Sequence, residues 1–241
     1  MKELNNIQTE ILRKFMYNEK LKYNQIWDKN ICTSSNFDYH LKILINNGIL
    51  KKQNDYYILT SEGTSLVTSI DGVSIKNKKK SIVCSFILAV NDNNKILFSI
   101  RKKQPYFDHL NIPGGKQEYG EFSDFTGKRE FEEETGLKCD TKLMMITEKM
   151  TINLDENNSV EHQILGYFYL GYNIKGKLIK KTREGNNIWI KLEDLKKYKR
   201  FPDLDFIIPY IINRKNLIKI AQIKRFRKNN EFVDIKINEL N

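Results

Sequence analysis

The residues best suited to chemistry in this 241-residue chain crowd into one stretch. Gly114 and Gly115 open it, Glu121, Arg129, Glu130, Glu133 and Glu134 follow, and Gly136 closes it. A helix is expected over about Ser123 to Thr135, because glycine is a natural stop just past a helix C-terminus. On that helix Glu130 and Glu134 stand four apart, and Glu130 and Glu133 three apart, so the three carboxylates share one face. Like charges at this spacing destabilise an exposed helix by about 0.2–0.5 kcal/mol per pair. A divalent cation removes that penalty, and magnesium prefers carboxylate oxygens, water and substrate phosphates. Arg129 can pair with Glu121 or orient a glutamate through a bidentate contact. Two adjacent glycines let the backbone come close to a metal and to phosphate groups. A Glu-rich surface helix would account for the acids, but not for the glycines, the arginine and their spacing together.

Gly115, five residues, Glu121, seven residues and then Arg129-Glu130-Phe131-Glu132-Glu133-Glu134-Thr135-Gly136-Leu137 resembles the Nudix box at every fixed position. Ile112-Pro113-Gly114-Gly115-Lys116 resembles the family's approach to that box, and Trp189 to Leu195 with Phe201-Pro202 its closing strand and last helix. The resemblance covers about 81–213. It implies a pyrophosphohydrolase that cleaves a nucleoside diphosphate linked to another moiety, either a nucleoside triphosphate or an ADP-ribose-like compound. The implied chemistry is magnesium-assisted attack of water at phosphorus, with manganese able to substitute. By resemblance, Glu130, Glu133, Glu134 and the Gly114 carbonyl form the metal set, Glu134 or Glu130 is the base, and Arg129 and Glu121 support them. Gly115, Lys116, Arg101 and Tyr106 are assigned to substrate, although Tyr106 equally suits local packing of its loop. The family often adds a carboxylate from beyond the box, for which Glu184 and Glu161 are both candidates. The proline that the family's ADP-ribose hydrolases tend to carry beyond the box is absent, since 151–154 read Thr-Ile-Asn-Leu. Thr126-Gly127 stand where two alanines are usual, and a mid-helix glycine costs about 1 kcal/mol against alanine.

The elements that must position these residues are partly legible. Strands are expected at Ser81 to Val90, Lys95 to Ile100, 138–151, 160–173 and 186–190, with a loop from Lys102 to Pro113. Helices are expected over Leu192 to Lys199 and Leu204 to Asn213. A hairpin around Lys228-Asn229-Asn230 is expected in the tail, where Lys224-Arg225-Phe226-Arg227-Lys228 interleaves cations with an aromatic and could touch nucleic acid, although a solvated tip is the simpler reading. The expected architecture is α+β with two domains, the second being an α/β/α sandwich with a mixed sheet.

Residues 1–75 have a different pattern. Helical periodicity at 6–18, a short helical stretch from Tyr23 to Asp28 and a helix capped at Thr33 and stopped by Gly48 precede two strands around Asn54-Asp55. Thr60 can cap one more helix through about Ile70. This order resembles a winged helix-turn-helix domain of the repressor type. The resemblance implies a second class of function, a regulator that senses a nucleotide metabolite and binds DNA. Ser35, Asn36, Tyr39, His40 and Lys42 on the third helix, and Lys51 and Lys52 at the wing, are the candidate DNA contacts. A homodimer is the candidate assembly, because winged helices that read palindromes pair.

Charge is uneven. The chain carries a net +11, but residues 1–75 contribute only +1, whereas the run 76–80 adds +4 and residues 214–241 add +5. We therefore divide the chain into a winged domain (1–75), a basic linker (76–80), the Nudix domain (81–213) and a basic extension (214–241). Near-neutrality of 1–75 weighs against DNA binding. Cys32, Cys84 and Cys139 lack a zinc spacing, and their odd number argues against a disulfide framework. No apolar run is long enough for a membrane span, and a cytoplasmic location is expected.

Overall fold

The computed structural model describes residues 4–69, 81–103, 106–213 and 217–240. The lysine run 76–80, residues 70–75 and the pair Gln104-Pro105 lie outside them. The chain divides into two compact units, 1–79 and 80–241.

In the first unit, helix α1 (Asn6–Lys14) begins with a capping box in which Asn5 and Gln8 satisfy each other's backbone N–H groups. Strand β1 (Lys20–Lys22), helix α2 (Tyr23–Ile26) and helix α3 (Ser34–Asn46) follow. Strands β2 (Leu50–Gln53) and β3 (Tyr56–Leu59) form the expected hairpin, and α4 (Ser61–Ser69) closes the unit. β1 pairs with β3 to give an antiparallel sheet of order β1-β3-β2, a third strand not anticipated from three residues of sequence. Thr33 caps α3, and Gly48 ends it with φ at +70°. The core is Ile11, Leu12, Phe15, Ile26, Phe37, Leu41 and Leu44, with Leu21, Leu50 and Tyr57 from the sheet. His40 departs from expectation. It lies on the inward side of α3, is buried, and meets the Asn5 side chain, so it is not part of the exposed face. Ser35, Asn36, Tyr39, Lys42, Lys51 and Lys52 are exposed.

The second unit is built on a six-stranded mixed sheet. Its strands are β4 (Ile82–Ala89), β7 (Gly114–Lys116), β8 (Leu137–Asn153), β9 (Ser159–Gly176), β11 (Lys219–Lys228) and β12 (Glu231–Glu239), in the order β12-β11-β8-β9-β4-β7. β4 runs parallel to β9, and β11 parallel to β8, while the other neighbours are antiparallel. A smaller sheet orders β10 (Gly185–Lys191), β5 (Lys95–Arg101) and β6 (Leu110–Asn111). β6 interrupts the stretch expected to be loop.

Alternation along the strands separates two cores. Ile87, Ala89 and Tyr169 pack with Phe131 of helix α5 (Ser123–Thr135) on one side. Leu88, Phe168 and Leu170 pack with Leu204, Ile207, Ile208 and Ile211 of helix α6 (Leu204–Ile212) on the other. The helix expected over Leu192 to Lys199 is a shorter 3₁₀ segment, Leu192–Lys197. The hairpin expected in the tail forms. It is not appended to the domain, because its first strand is bonded to β8 along nine residue pairs.

Candidate functional site

Helix α5 presents the acids. Its end is fixed by Gly136, left-handed at φ +71°, and by Asn187 of β10. The Asn187 side chain donates to the Glu134 carbonyl (2.7 Å) and to the Ile179 carbonyl (2.8 Å). This anchor was not found from sequence, since nothing in a single asparagine on a strand marks it. Thr126, buried on α5, donates to Glu121 Oε2 (2.8 Å). Arg129 grips the same carboxylate at 2.7 Å to Oε1 and 2.9 Å to Oε2, and the Glu118 N–H adds a further bond. Arg129's hydrogen bonds, chiefly, hold Glu121 down to about 2, against the smaller upward pull of burial. Arg129 also reaches Glu130 at 3.0 Å and Glu133 at 3.4 Å.

β7 brings the glycines beneath the helix. The Gly114 N–H donates to Glu134 Oε2 (3.0 Å). A methyl at Gly115 would overlap the Glu130 carboxyl, and one at Gly114 would run into the Ser85 carbonyl. Glycine is thus required here for close approach rather than for turning alone. Burial pushes Glu134 up to about 7, opposed by the Gly114 bond and reinforced by Glu184 and Glu130.

Glu130, Glu134, Gly114, Gly115, Lys116, Arg101, Tyr106 and Glu184 all line one cavity of about 580 Å³, a size suited to a nucleotide-scale ligand. Burial lowers Arg101 from its usual value, with Glu134 and Glu184 acting against that. Glu184 is ion-paired with Lys103. Glu161 is not on the cavity. It is held by Arg227 at 2.5 and 2.8 Å, which separates the two candidates for the additional carboxylate. Glu133 is not on the cavity either, its side chain being 60% exposed. Among the described residues, no three His, Cys, Asp or Glu side chains are gathered at metal-holding distances. The Tyr106 ring stacks on Phe232 (5.4 Å) with the Arg227 guanidinium over it (5.1 Å).

The lining of the cavity corrects a further expectation. Lys224 to Lys228 is not simply a solvated tip. Arg225 is buried and lines the cavity together with Lys149 and Asp203. Alternation could have shown this, because Arg225 and Arg227 share a strand face with Ala221 and Ile223.

Residues 81–209 match the NUDIX domain family, over half of the chain. The chain belongs to the Nudix hydrolase family. The MutT protein of Bacillus halodurans superposes with a TM-score of 0.54 at 19% identity, over 65% of this chain and 97% of that one. A MutT Nudix hydrolase of Burkholderia pseudomallei gives a TM-score of 0.47 at 21% identity, over 55% and 99%. The Nudix domain of Shewanella oneidensis NrtR, solved with ADP-ribose, gives 0.49 at 17% identity, over 64% and 99%. No curated protein matches the chain. Among the described residues, no helix is long and apolar enough to cross a membrane.

Proposed function

We propose that this Nudix hydrolase cleaves the pyrophosphate of a nucleoside diphosphate linked to another group, with nucleoside triphosphates and ADP-ribose-like compounds both in scope. The observation that carries this reading is the convergence of Glu130, Glu134 and Glu184 with Gly114 and Gly115 on one cavity. A half-buried carboxyl beside two others, with a backbone N–H as its hydrogen-bond partner, is an environment that a divalent cation would stabilise. Glu130 and Glu134 on the cavity, with the Gly114 carbonyl and with the exposed Glu133 that shares Arg129 with Glu130, would hold magnesium, or manganese in its place. When bound, the ion neutralises phosphate charge and acidifies the attacking water.

The chain's own groups do the rest. Arg129 and Glu121 form a rigid pair that fixes the start of α5 and aligns Glu130. Glu134, which lines the cavity and is held by the Gly114 N–H, takes the proton from the attacking water. Arg101 and Lys116 bring positive charge to the phosphates, and the close backbone at Gly114 and Gly115 leaves room for them.

The test is a panel of nucleoside triphosphates, ADP-ribose, NADH and dinucleoside polyphosphates, with and without magnesium, products being separated by chromatography. Magnesium-dependent cleavage at a pyrophosphate, lost in Glu133→Gln and Glu134→Gln, is expected. No turnover by well-folded protein would overturn the reading.

A second reading is favoured by one observation. In the first unit α1, α2 and α3 are followed by the β2–β3 hairpin, an order that suits a winged helix-turn-helix, and Ser35, Asn36, Tyr39 and Lys42 lie exposed on α3. A nucleotide-responsive DNA-binding regulator would present such a face to the major groove. Salt-dependent DNA retention by the full chain, altered by nucleotide and weakened in Lys42→Ala, is the outcome that supports it. Binding to no DNA at low salt would exclude it.

A further inference from the structure

The cavity is also lined by three charged groups that the proposed pyrophosphate chemistry does not use. Its floor holds Lys149 on β8, Asp203 just before α6 and Arg225 on β11, with side chains only 7%, 2% and 6% exposed. Arg225 lies beyond residue 209, where the family match ends, so the C-terminal hairpin supplies it. The three charges are loosely joined. Lys149 Nζ stands 3.6 Å from Asp203 Oδ2, and Arg225 Nη1 stands 3.4 Å from Asp203 Oδ1. Charge-assisted bonds in this class close to about 2.7–2.9 Å. Arg225 Nε is buried with no partner among the described residues. Unpaired buried donors are costly, which points to an occupant with acceptor atoms.

The order of the groups narrows that occupant. Asp203 sits between two cations, so the floor reads donor, acceptor, donor. A free oxyanion placed there would meet the Asp203 carboxylate. Burial pushes that carboxyl up, yet Arg225 and Lys149 outweigh it and keep the group below its usual range. The walls are aromatic. Lys149 Nζ lies 4.7 Å from the Phe168 ring centre and 5.0 Å from that of Phe86, and the Arg225 guanidinium 5.0 Å from that of Phe201. Flat rings suit a planar heterocycle.

We propose that Lys149, Asp203 and Arg225 read the imide edge of a nucleobase, its C=O, N–H, C=O sequence, as found in uracil, thymine and xanthine. The proposal rests on the cavity being a nucleotide site. Each carbonyl accepts from one cation and the ring N–H donates to Asp203. Cytosine presents a donor where the floor presents one, and adenine has no such edge. Guanine matches at two positions of three.

The experiment uses the full wild-type chain with magnesium. Calorimetry compares UMP, N3-methyl-UMP, CMP and inorganic phosphate, and turnover is measured on the matching triphosphates. UMP is expected to bind at least about tenfold more tightly than N3-methyl-UMP or CMP, the loss expected when one buried partner goes unsatisfied. Arg225→Met and Lys149→Met, checked for folding by their melting midpoints, are expected to shrink that preference. Equal affinities, no binding of UMP, or affinity that follows phosphate alone would overturn the proposal. If all three triphosphates turn over with equal kcat/KM, the base edge is wrong and the hydrolase stands. If UMP is preferred but no nucleotide is cleaved, the hydrolase reading fails and the base edge stands.

Discussion

Glu134 takes its proton affinity chiefly from burial. Burial, then Glu184 and Glu130, raise it from 4.5 to about 7, while the Gly114 N–H pulls the other way. In metal-free protein the folded state therefore keeps this proton longer than the unfolded state does. Stability must fall as pH rises from about 4.5 through about 7 and then level off, by at most about 3 kcal/mol. Unfolding by urea at pH 5 and pH 8 measures this. The wild-type minus Glu134→Gln difference should show the fall, and magnesium should recover more stability at pH 8 than at pH 5. A pH-independent difference would contradict the assignment. Glu121 behaves oppositely. Held near 2 by Arg129, it adds stability that is full above about 4.5 and is lost progressively as pH falls from about 4.5 through about 2.

At the scale of elements, α5 was fully legible. The box spacing fixed its face, and Gly136 its end, so expected and observed limits coincide at Ser123 and Thr135. The departure at Thr126-Gly127 acquires a physical meaning. Thr126 joins the Glu121 network. Gly127 has room, since a methyl there would meet Ile87 and Ser85 side chains at 3.5 Å, ordinary contact. Gly127→Ala is thus expected to stabilise the protein by about 0.4–1 kcal/mol, read as a raised melting midpoint with activity kept. Destabilisation would show that α5 lies closer to β4 than described. The tail was legible as a hairpin but not as part of the sheet, because parallel pairing of β11 with β8 joins segments some 74 residues apart and leaves no local mark. Truncation after Ile218 removes buried Ala221, Ile223 and Arg225 and is expected to destabilise the second unit by several kcal/mol. A truncated chain with an unchanged melting midpoint would show the hairpin to be dispensable.

The whole molecule is two units with separate cores. Leu44 is fully buried in the first, and Leu44→Ala should cost about 2–5 kcal/mol there while leaving nucleotide turnover within about twofold. A collapse of turnover in folded protein would show that catalysis depends on the first unit. Composition located the excess positive charge but not its use. Arg225 and Arg227 were counted with the tail, yet one lines the cavity floor and the other binds Glu161. The substrate stayed illegible for the same reason: Lys149, Arg225 and Asp203 come to the cavity from β8, β11 and the loop before α6, and only the fold brings them together. The most direct test of the central claim is hydrolysis in ¹⁸O-labelled water with magnesium, products analysed by mass spectrometry. A cleaved pyrophosphate carrying one ¹⁸O on a phosphate product, with the rate reduced about 10²–10⁴-fold in Glu134→Gln, is the predicted result. Unlabelled phosphate products, or an unchanged rate in that variant, would contradict water attack at this site.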